Sequence, residues 1–319
     1  MRINISRCLL MATAVLGLST VAGAGNPPNY PTKPIELKYY AQGSAAVTSD
    51  AGFGCCDSSG NKFDVYYPTN LGANGFMHPI ITWGNGTSAK PSQYAYFLNH
   101  LASWGFVVVA TEDENAGVGQ TILDAANFMI AQNSTPSSIF YNKLNVSEIG
   151  AAGHSQGATG AVNALIKSAG SIKTVIPIEL PARIWCSSKT NCTDTKNITA
   201  GSIFLIDGSE DTLISPPTQP GWESGEQSIA AYYNAAPGKV DKQKGTLIGP
   251  NHNDVQGQPS CSGASYPCTN GVYGYLGYPT AWLMWQLQGD SYAAGAFGNS
   301  SGEIYSETTN WKYVGSNIR

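Results

Sequence analysis

Apolar and polar positions follow two patterns along the chain. Short apolar runs bounded by glycine or proline indicate strands, whereas longer stretches with apolar residues three or four positions apart indicate helices. Residues 106–110 (FVVVA) form an uninterrupted, mostly β-branched run. That run is typical of a strand buried on both faces of a parallel sheet.

Predicted strands and helices alternate from residue 63 onwards. An edge strand is predicted at 63–68, and further strands at 79–83, 106–110, 149–152, 174–178, 203–206 and 245–248, the last being the final strand. Helices are predicted at 91–104, 119–131, 158–169, 227–233 and 280–287, the last being the final helix. Between the leader and residue 61 the chain is rich in glycine, proline and serine. The alternation predicts βαβ units and an α/β fold, with a doubly wound, mostly parallel sheet and helices on both faces.

The first 24 residues have the pattern of a secretory signal peptide. Two arginines precede an apolar stretch over residues 8–21, which ends in Ala22-Gly23-Ala24. A membrane anchor is the alternative, but the apolar stretch is short and interrupted by polar residues. We therefore expect residues 1–24 to be removed and residues 25–319 to form one domain, secreted to the periplasm or the medium. No repeat or long linker divides these residues.

Composition narrows the range of partners. Hydrophobic residues make up 42% of the chain and charged residues 12%, with a formal net charge of −4. The sequence contains no cluster of lysine and arginine, so nucleic acid is not an expected partner. After the leader no apolar stretch reaches 18 residues, so we expect no membrane insertion, and we expect a monomer.

Cysteine usage fits an oxidising compartment. Cys8 lies in the leader, which leaves an even six, and six cysteines allow 15 connectivities. The spacing suggests the local pairs Cys186–Cys192 and Cys261–Cys268. Cys55 and Cys56 would then pair as neighbours, although they could instead pair elsewhere. No histidine lies at ligand spacing from a cysteine pair, so no metal site is expected.

One pentapeptide points to catalysis. Gly153-His154-Ser155-Gln156-Gly157 fits G-x-S-x-G and lies between a predicted strand and a predicted helix, the context in which this motif forms a nucleophile elbow. The two glycines are needed because a side chain at either position would collide with the neighbouring strand or helix. Ser155 is therefore the predicted nucleophile.

The serine requires a base and an acid, which follow it in the order acid then histidine. His252 is the only histidine after Ser155, in a loop beyond a predicted strand, and is the predicted base. Three carboxylates follow the strand at 203–206. Asp211 lies deepest in that loop and is the preferred acid, with Asp207 and Glu210 as alternatives.

Backbone amides should stabilise the negative charge on the tetrahedral intermediate. The amide after the nucleophile, that of Gln156, is one predicted donor. The other should come from the glycine-containing loop at residues 84–88, after an early strand.

These motifs resemble those of bacterial cutinases and polyethylene terephthalate hydrolases. The similarity spans roughly residues 60–290 and rests on residues 86–89, 101–108, 153–157 and 210–216, with a fitting helix at Ala281-Trp282. It implies an α/β-hydrolase fold and cofactor-free cleavage of hydrophobic carboxylic esters, including polyesters. By position, Ser155, Asp211 and His252 would form the triad, Thr87 would be the first oxyanion donor, and Trp185 would line the acyl cleft. Insertions occur around Cys186–Cys192 and between Asp211 and His252.

Two other functions are consistent with the same residues. A lipase or small-ester carboxylesterase, similar to the chlorophyllases, would use the same triad on a different ester. A non-catalytic binding protein on this fold is the third possibility, but such a scaffold should have lost at least one of the three triad residues. The sequence retains all three.

Overall fold

The computed structural model describes residues 26–186 and 191–319. Its strands are β1 Val47–Cys55, β2 Lys62–Pro68, β3 His78–Gly84, β4 Val107–Thr111, β5 Leu144–His154, β6 Ile172–Ile178, β7 Ser202–Gly208, β8 Asp241–Leu247 and β9 Trp311–Ser316. Its α-helices are α1 Pro34–Tyr40, α2 Ala95–Ser103, α3 Gln120–Ser134, α4 Gln156–Lys167, α5 Ile229–Ala235, α6 Gly277–Gln288 and α7 Ser291–Ala294. The predicted leader lies outside the described residues.

All nine described strands belong to one sheet, in the order β1-β2-β4-β3-β5-β6-β7-β8-β9. The six strands from β4 to β8 in this order pair in parallel, whereas β1, β2 and β9 extend the sheet by antiparallel pairing. This is the doubly wound, mostly parallel sheet that the alternation of elements predicted, and it fits the α/β-hydrolase fold that the resemblance implied. Because the parallel strands end at one edge, the loops that follow β3, β5, β7 and β8 meet there.

Helices cover both faces of the sheet. The apolar side chains of α1, α2 and α6 pack in one buried cluster, and those of α3, α4 and α5 pack in another on the opposite face. Strand β4 shows the division, because Val107 and Val109 belong to one cluster and Val108 and Ala110 to the other. The run of β-branched residues therefore forms a strand buried on both faces, as predicted.

Three expectations were wrong at the margins of the fold. The strand at 62–68 is not an edge strand, because β1 pairs with it antiparallel from within the stretch rich in glycine, proline and serine. The final strand is not the one at 241–247, since β9 pairs beside it. The final α-helix is α7 rather than α6, and the short α1 was not predicted. Both missed strands lie at the edges and are exposed or half-buried at most positions, so their sequences lack a clear apolar alternation.

The six cysteines of the described residues form three disulfides, Cys55–Cys56, Cys186–Cys192 and Cys261–Cys268. These are the pairs that the spacing suggested. Within residues 26–186 and 191–319, none of the helices combines the length and apolar character needed to cross a bilayer.

Candidate active site

Ser155 lies at the turn between β5 and α4, in a conformation that few residues adopt. Its φ is 53° and its ψ is −121°, a left-handed region that strains a side chain-bearing residue. The flanking glycines make the turn possible. A Cβ at Gly153 would come within 2.3 Å of the Gly157 carbonyl oxygen, and one at Gly157 within 2.1 Å of the Gly84 carbonyl oxygen. The motif thus forms a tight strand-to-helix turn, packed against the end of β3, with the geometry expected of a nucleophile elbow.

A chain of hydrogen bonds runs from the serine into the protein. The Ser155 Oγ lies 2.9 Å from His252 Nε2, and His252 Nδ1 lies 2.6 Å from Asp211 Oδ2. A carboxylate can only accept, so Nδ1 carries the proton and Nε2 is free to accept one from the serine hydroxyl. The structure therefore brings together the three residues that the order of motifs selected, from loops up to 97 positions apart.

Asp211 is the carboxylate that His252 contacts. Burial raises the pKa of Asp211, but the hydrogen bond from His252, the charge of His252 and the amides of Ile214 and Ser215 outweigh it, so the pKa falls below its usual value. The alternatives do not reach the histidine. Asp207 accepts a bond from Thr246 Oγ1 at 2.7 Å, and Glu210 accepts one from Ser209.

The predicted oxyanion donors line the same cleft as Ser155. This cleft has a volume of about 400 Å³, and its lining includes Thr87, Gln156 and Trp185. Neither the Thr87 amide nor the Gln156 amide has a hydrogen-bond acceptor among the described residues. Gln156 begins helix α4, so its N–H also lies at the positive end of the helix dipole.

Trp185 occupies the rim of the cleft. It ends a short 3₁₀ turn, Arg183–Trp185, and about half of its surface is exposed. Its indole N–H donates to the Leu213 carbonyl at 2.9 Å, which fixes the ring beside the loop that carries Asp211.

Sequence reasoning did not assign a role to Tyr94 or His154. His154 is fully buried, and its Nε2 lies 2.7 Å from the His252 carbonyl oxygen. Because a carbonyl only accepts, Nε2 carries the proton and Nδ1 accepts from the Tyr94 hydroxyl at 2.9 Å. The Tyr94 oxygen accepts in turn from the Gly86 amide at 2.9 Å. Burial lowers the pKa of His154 to about 3, so this link stays neutral.

Glu179 is a second feature that the sequence did not reveal. It is fully buried with a φ of 52°, accepts a bond from the Tyr275 hydroxyl at 2.8 Å and lies near Asp211 and His252. Burial first, and the charge of Asp211 second, raise the pKa of Glu179 well above its usual value. This shift favours the neutral form of Glu179, which places no second negative charge beside Asp211.

Two groups of described residues have the composition of a metal site, and both are otherwise engaged. Glu179, Asp211 and His252 bring ligand atoms within 4.8 Å of one another, but both His252 nitrogens take part in the hydrogen bonds to Asp211 and Ser155. In the second group, Cys261 and Cys268 are joined by a disulfide. Its third member, Asp254, accepts from backbone amides that include that of Gly271.

Comparison with known proteins gives one match. A protein-family model described as PETase, PET hydrolase-like, matches residues 28–220. The match covers more than half of the chain and includes Ser155 and Asp211, whereas His252 lies beyond it. No curated protein matches the sequence.

Proposed function

The chain belongs to the PET hydrolase-like family of ester hydrolases, as its motifs predicted, and on that premise we propose that it is a secreted serine carboxylic-ester hydrolase. The observation that carries the proposal is the hydrogen-bonded chain Ser155–His252–Asp211, which begins on a strained elbow. That arrangement is what nucleophilic ester cleavage requires: a hydroxyl, a base within reach and a group that orients the base.

In the first half of the reaction, the Ser155 oxygen attacks the ester carbonyl and its proton passes to His252 Nε2. The carbonyl oxygen becomes negative and is held by the amides of Gln156 and Thr87. Asp211 stabilises the imidazolium that forms. Collapse of the intermediate breaks the bond to the alcohol, which takes the proton from His252 and leaves an acyl group on Ser155.

Water completes the cycle. His252 accepts a proton from the water as it attacks the acyl carbonyl, and returns that proton to Ser155 as the acid leaves. His252 thus acts as base and acid in each half, with the free Nε2 facing the serine throughout.

Hydrophobic esters and polyesters are the proposed substrates. The described lining of the cleft combines uncharged polar side chains with the apolar Pro181, Trp185 and Ile214, and it includes no Lys, Arg, Asp or Glu. An uncharged acyl group loses little hydration there, whereas a charged one would lose much.

Secretion is part of the proposal. Residues 1–24 have the signal-peptide pattern, and the three disulfides suit a protein that works outside the reducing cytosol. Mass measurement of the exported protein tests it: an N-terminus close to residue 25 is expected, and retention of the arginines at positions 2 and 7 would contradict it.

The nucleophile is tested with Ser155→Ala on p-nitrophenyl butyrate. We expect kcat to fall by more than about a thousandfold, because triad members act as a unit. Ser300→Ala is the matched control, since Ser300 has a similar φ of 55° but lies outside the cleft, and it should keep the parent rate. A Ser155→Ala variant that retains a rate within about tenfold of the parent, with the parent fold by circular dichroism, would overturn the proposal.

A further inference from the structure

A second groove lies beside the catalytic cleft, and we propose that it binds the part of a polyester chain that extends beyond the ester under attack. This inference rests on the proposed ester hydrolysis and adds a second binding site, which only a substrate longer than one ester unit can reach. The groove, here called the Trp222 groove, has a volume of about 470 Å³ and is lined by Ala182, Ile184, Leu213, Pro216 and Trp222.

The cleft and the Trp222 groove share a wall made by two pairs of neighbouring residues. Trp185 lines the cleft, whereas Ile184 lines the groove. In the same way, Ile214 lines the cleft and Leu213 the groove. The Trp185 indole N–H joins the two pairs by donating to the Leu213 carbonyl at 2.9 Å. A chain that leaves the cleft over this wall therefore enters the Trp222 groove directly.

Three large apolar side chains that line the groove are exposed to solvent. The exposed fraction is 83% for Trp222, 77% for Ile184 and 68% for Leu213. Single exposed apolar residues are ordinary, but a group of three that continues the apolar wall of the cleft at Trp185 and Ile214 marks a binding surface.

The segment that carries Trp222 is held in place before any ligand arrives. The Arg183 guanidinium donates to Glu226 at 2.8 Å, and the Ile184 amide donates to Gln227 Oε1 at 3.0 Å. Within the segment, Gln219 Nε2 donates to the carbonyls of residues 223 and 225. A ligand on the groove therefore loses little affinity to ordering of the protein.

Charge in the groove favours an uncharged occupant. Glu223 is the single charged residue among the described residues that line it. The nearby Arg183 is engaged by Glu226 and Asp194, so it offers no free positive charge to an anionic lipid. A neutral chain of repeated apolar units joined by esters matches both the groove and the cleft. A small ester fits within the cleft and does not reach Trp222.

Trp222→Ala tests the inference on an amorphous polyester film and on soluble esters of one to three units of the same monomers. In the parent, kcat/KM should rise as the soluble ester lengthens from one unit to three. In Trp222→Ala, this increase in kcat/KM should be about tenfold smaller, and the rate on the film should fall about tenfold, as expected for an anchoring aromatic residue. The rate on the one-unit ester should stay within about twofold. Leu213→Ser is a second variant, which keeps the backbone carbonyl that accepts from Trp185. It should show the same losses as Trp222→Ala.

Tyr141→Ala is the control, because Tyr141 is an exposed aromatic residue that precedes β5, at the opposite edge of the sheet from the cleft. It should leave all rates unchanged. An unchanged film rate in Trp222→Ala would overturn the inference, as would an equal loss on every ester. So would a loss confined to a triglyceride emulsion, or a change in oligomeric state by sedimentation. If the parent hydrolyses no ester at all, the proposed function fails instead.

Discussion

Asp207 and Asp211 lie four positions apart and are both buried, but they meet different partners. The Asp207 carboxyl group accepts a hydrogen bond from Thr246 Oγ1, and burial raises its pKa well above the usual value, which favours its neutral form. Asp211 faces His252, whose hydrogen bond helps to keep its pKa below the usual value. Only a charged carboxylate can stabilise the imidazolium, so the acid of the triad should be Asp211.

Asparagine substitutions separate the two carboxylates without a change of shape. Asp211→Asn should lower kcat by about a thousandfold or more, because the amide no longer favours the required tautomer of His252. Asp207→Asn changes a carboxyl group that bonds Thr246 and not His252, so its kcat should stay within about tenfold of the parent. Both are measured on p-nitrophenyl butyrate. The reverse order would transfer the role to Asp207.

The residues that meet at the candidate site were predictable where a motif or the chain order pointed to them. Ser155 follows from its pentapeptide, and His252 from being the only histidine downstream. Tyr94 and Glu179 carry no such signal, because their partners lie 60 and 96 positions away and only the fold brings them together.

At the scale of elements, one buried tyrosine ties three loops of the site together. The Tyr94 hydroxyl contacts the Gly86 amide in the loop after β3, His154 in the elbow, and Gln256 beyond β8. His154 continues the link to the carbonyl of His252. The amide of Thr87, the next residue after Gly86, is a proposed oxyanion donor, so this network positions both the donor and the base.

Tyr94→Phe should therefore slow the reaction without weakening substrate binding. It removes one hydroxyl and leaves the Gly86 amide and His154 Nδ1 without a partner, at a cost of about 1–3 kcal/mol for each unsatisfied group. We expect kcat to fall about tenfold while KM changes little, because a small displacement of catalytic groups affects mainly the chemical step. Steady-state kinetics on p-nitrophenyl butyrate measures both.

Tyr278→Phe is the control for this prediction. Tyr278 is equally buried, and its hydroxyl donates to Glu303 at 3.1 Å, away from the cleft. It should lower the melting temperature and leave kcat unchanged. If both variants lose stability and neither shows a lower kcat, Tyr94 contributes to the stability of the fold and not to catalysis.

The central strands and long helices were predictable because their apolar patterns are strong. The β-branched run of β4 and the apolar faces of α2 and α4 match the observed elements closely. The outer strands were not predictable. Every residue of β1 is exposed or half-buried, and the pairing of β1 with β2 depends on the folded sheet. Helix α1 is short and lies within the stretch that is rich in glycine, proline and serine, where no helix was expected.

For the molecule as a whole, stability depends on two sets of buried titratable groups with opposite effects. Burial raises the pKa values of Glu36, Glu179 and Asp207, so the folded protein keeps protons that the unfolded chain releases, and stability falls as pH rises. Burial lowers the pKa values of His78, His100 and His154, so the unfolded chain binds protons first, and stability falls as pH drops. A single pH profile mixes the two sets, whereas a comparison of variants separates them.

His100→Gln isolates one histidine. His100 is buried in α2 away from the triad, its Nε2 donates to the Tyr39 carbonyl at 3.0 Å, and burial lowers its pKa to about 4. Between pH 7 and pH 5 the unfolded chain gains a proton at this position and the folded protein does not, which costs the parent about 2 kcal/mol of stability. Glutamine has no proton to gain, so the stability advantage of the parent over His100→Gln should shrink by that amount. Urea unfolding of both proteins at the two pH values measures it, and a difference that stays constant or widens at pH 5 would show that His100 is already charged in the folded protein.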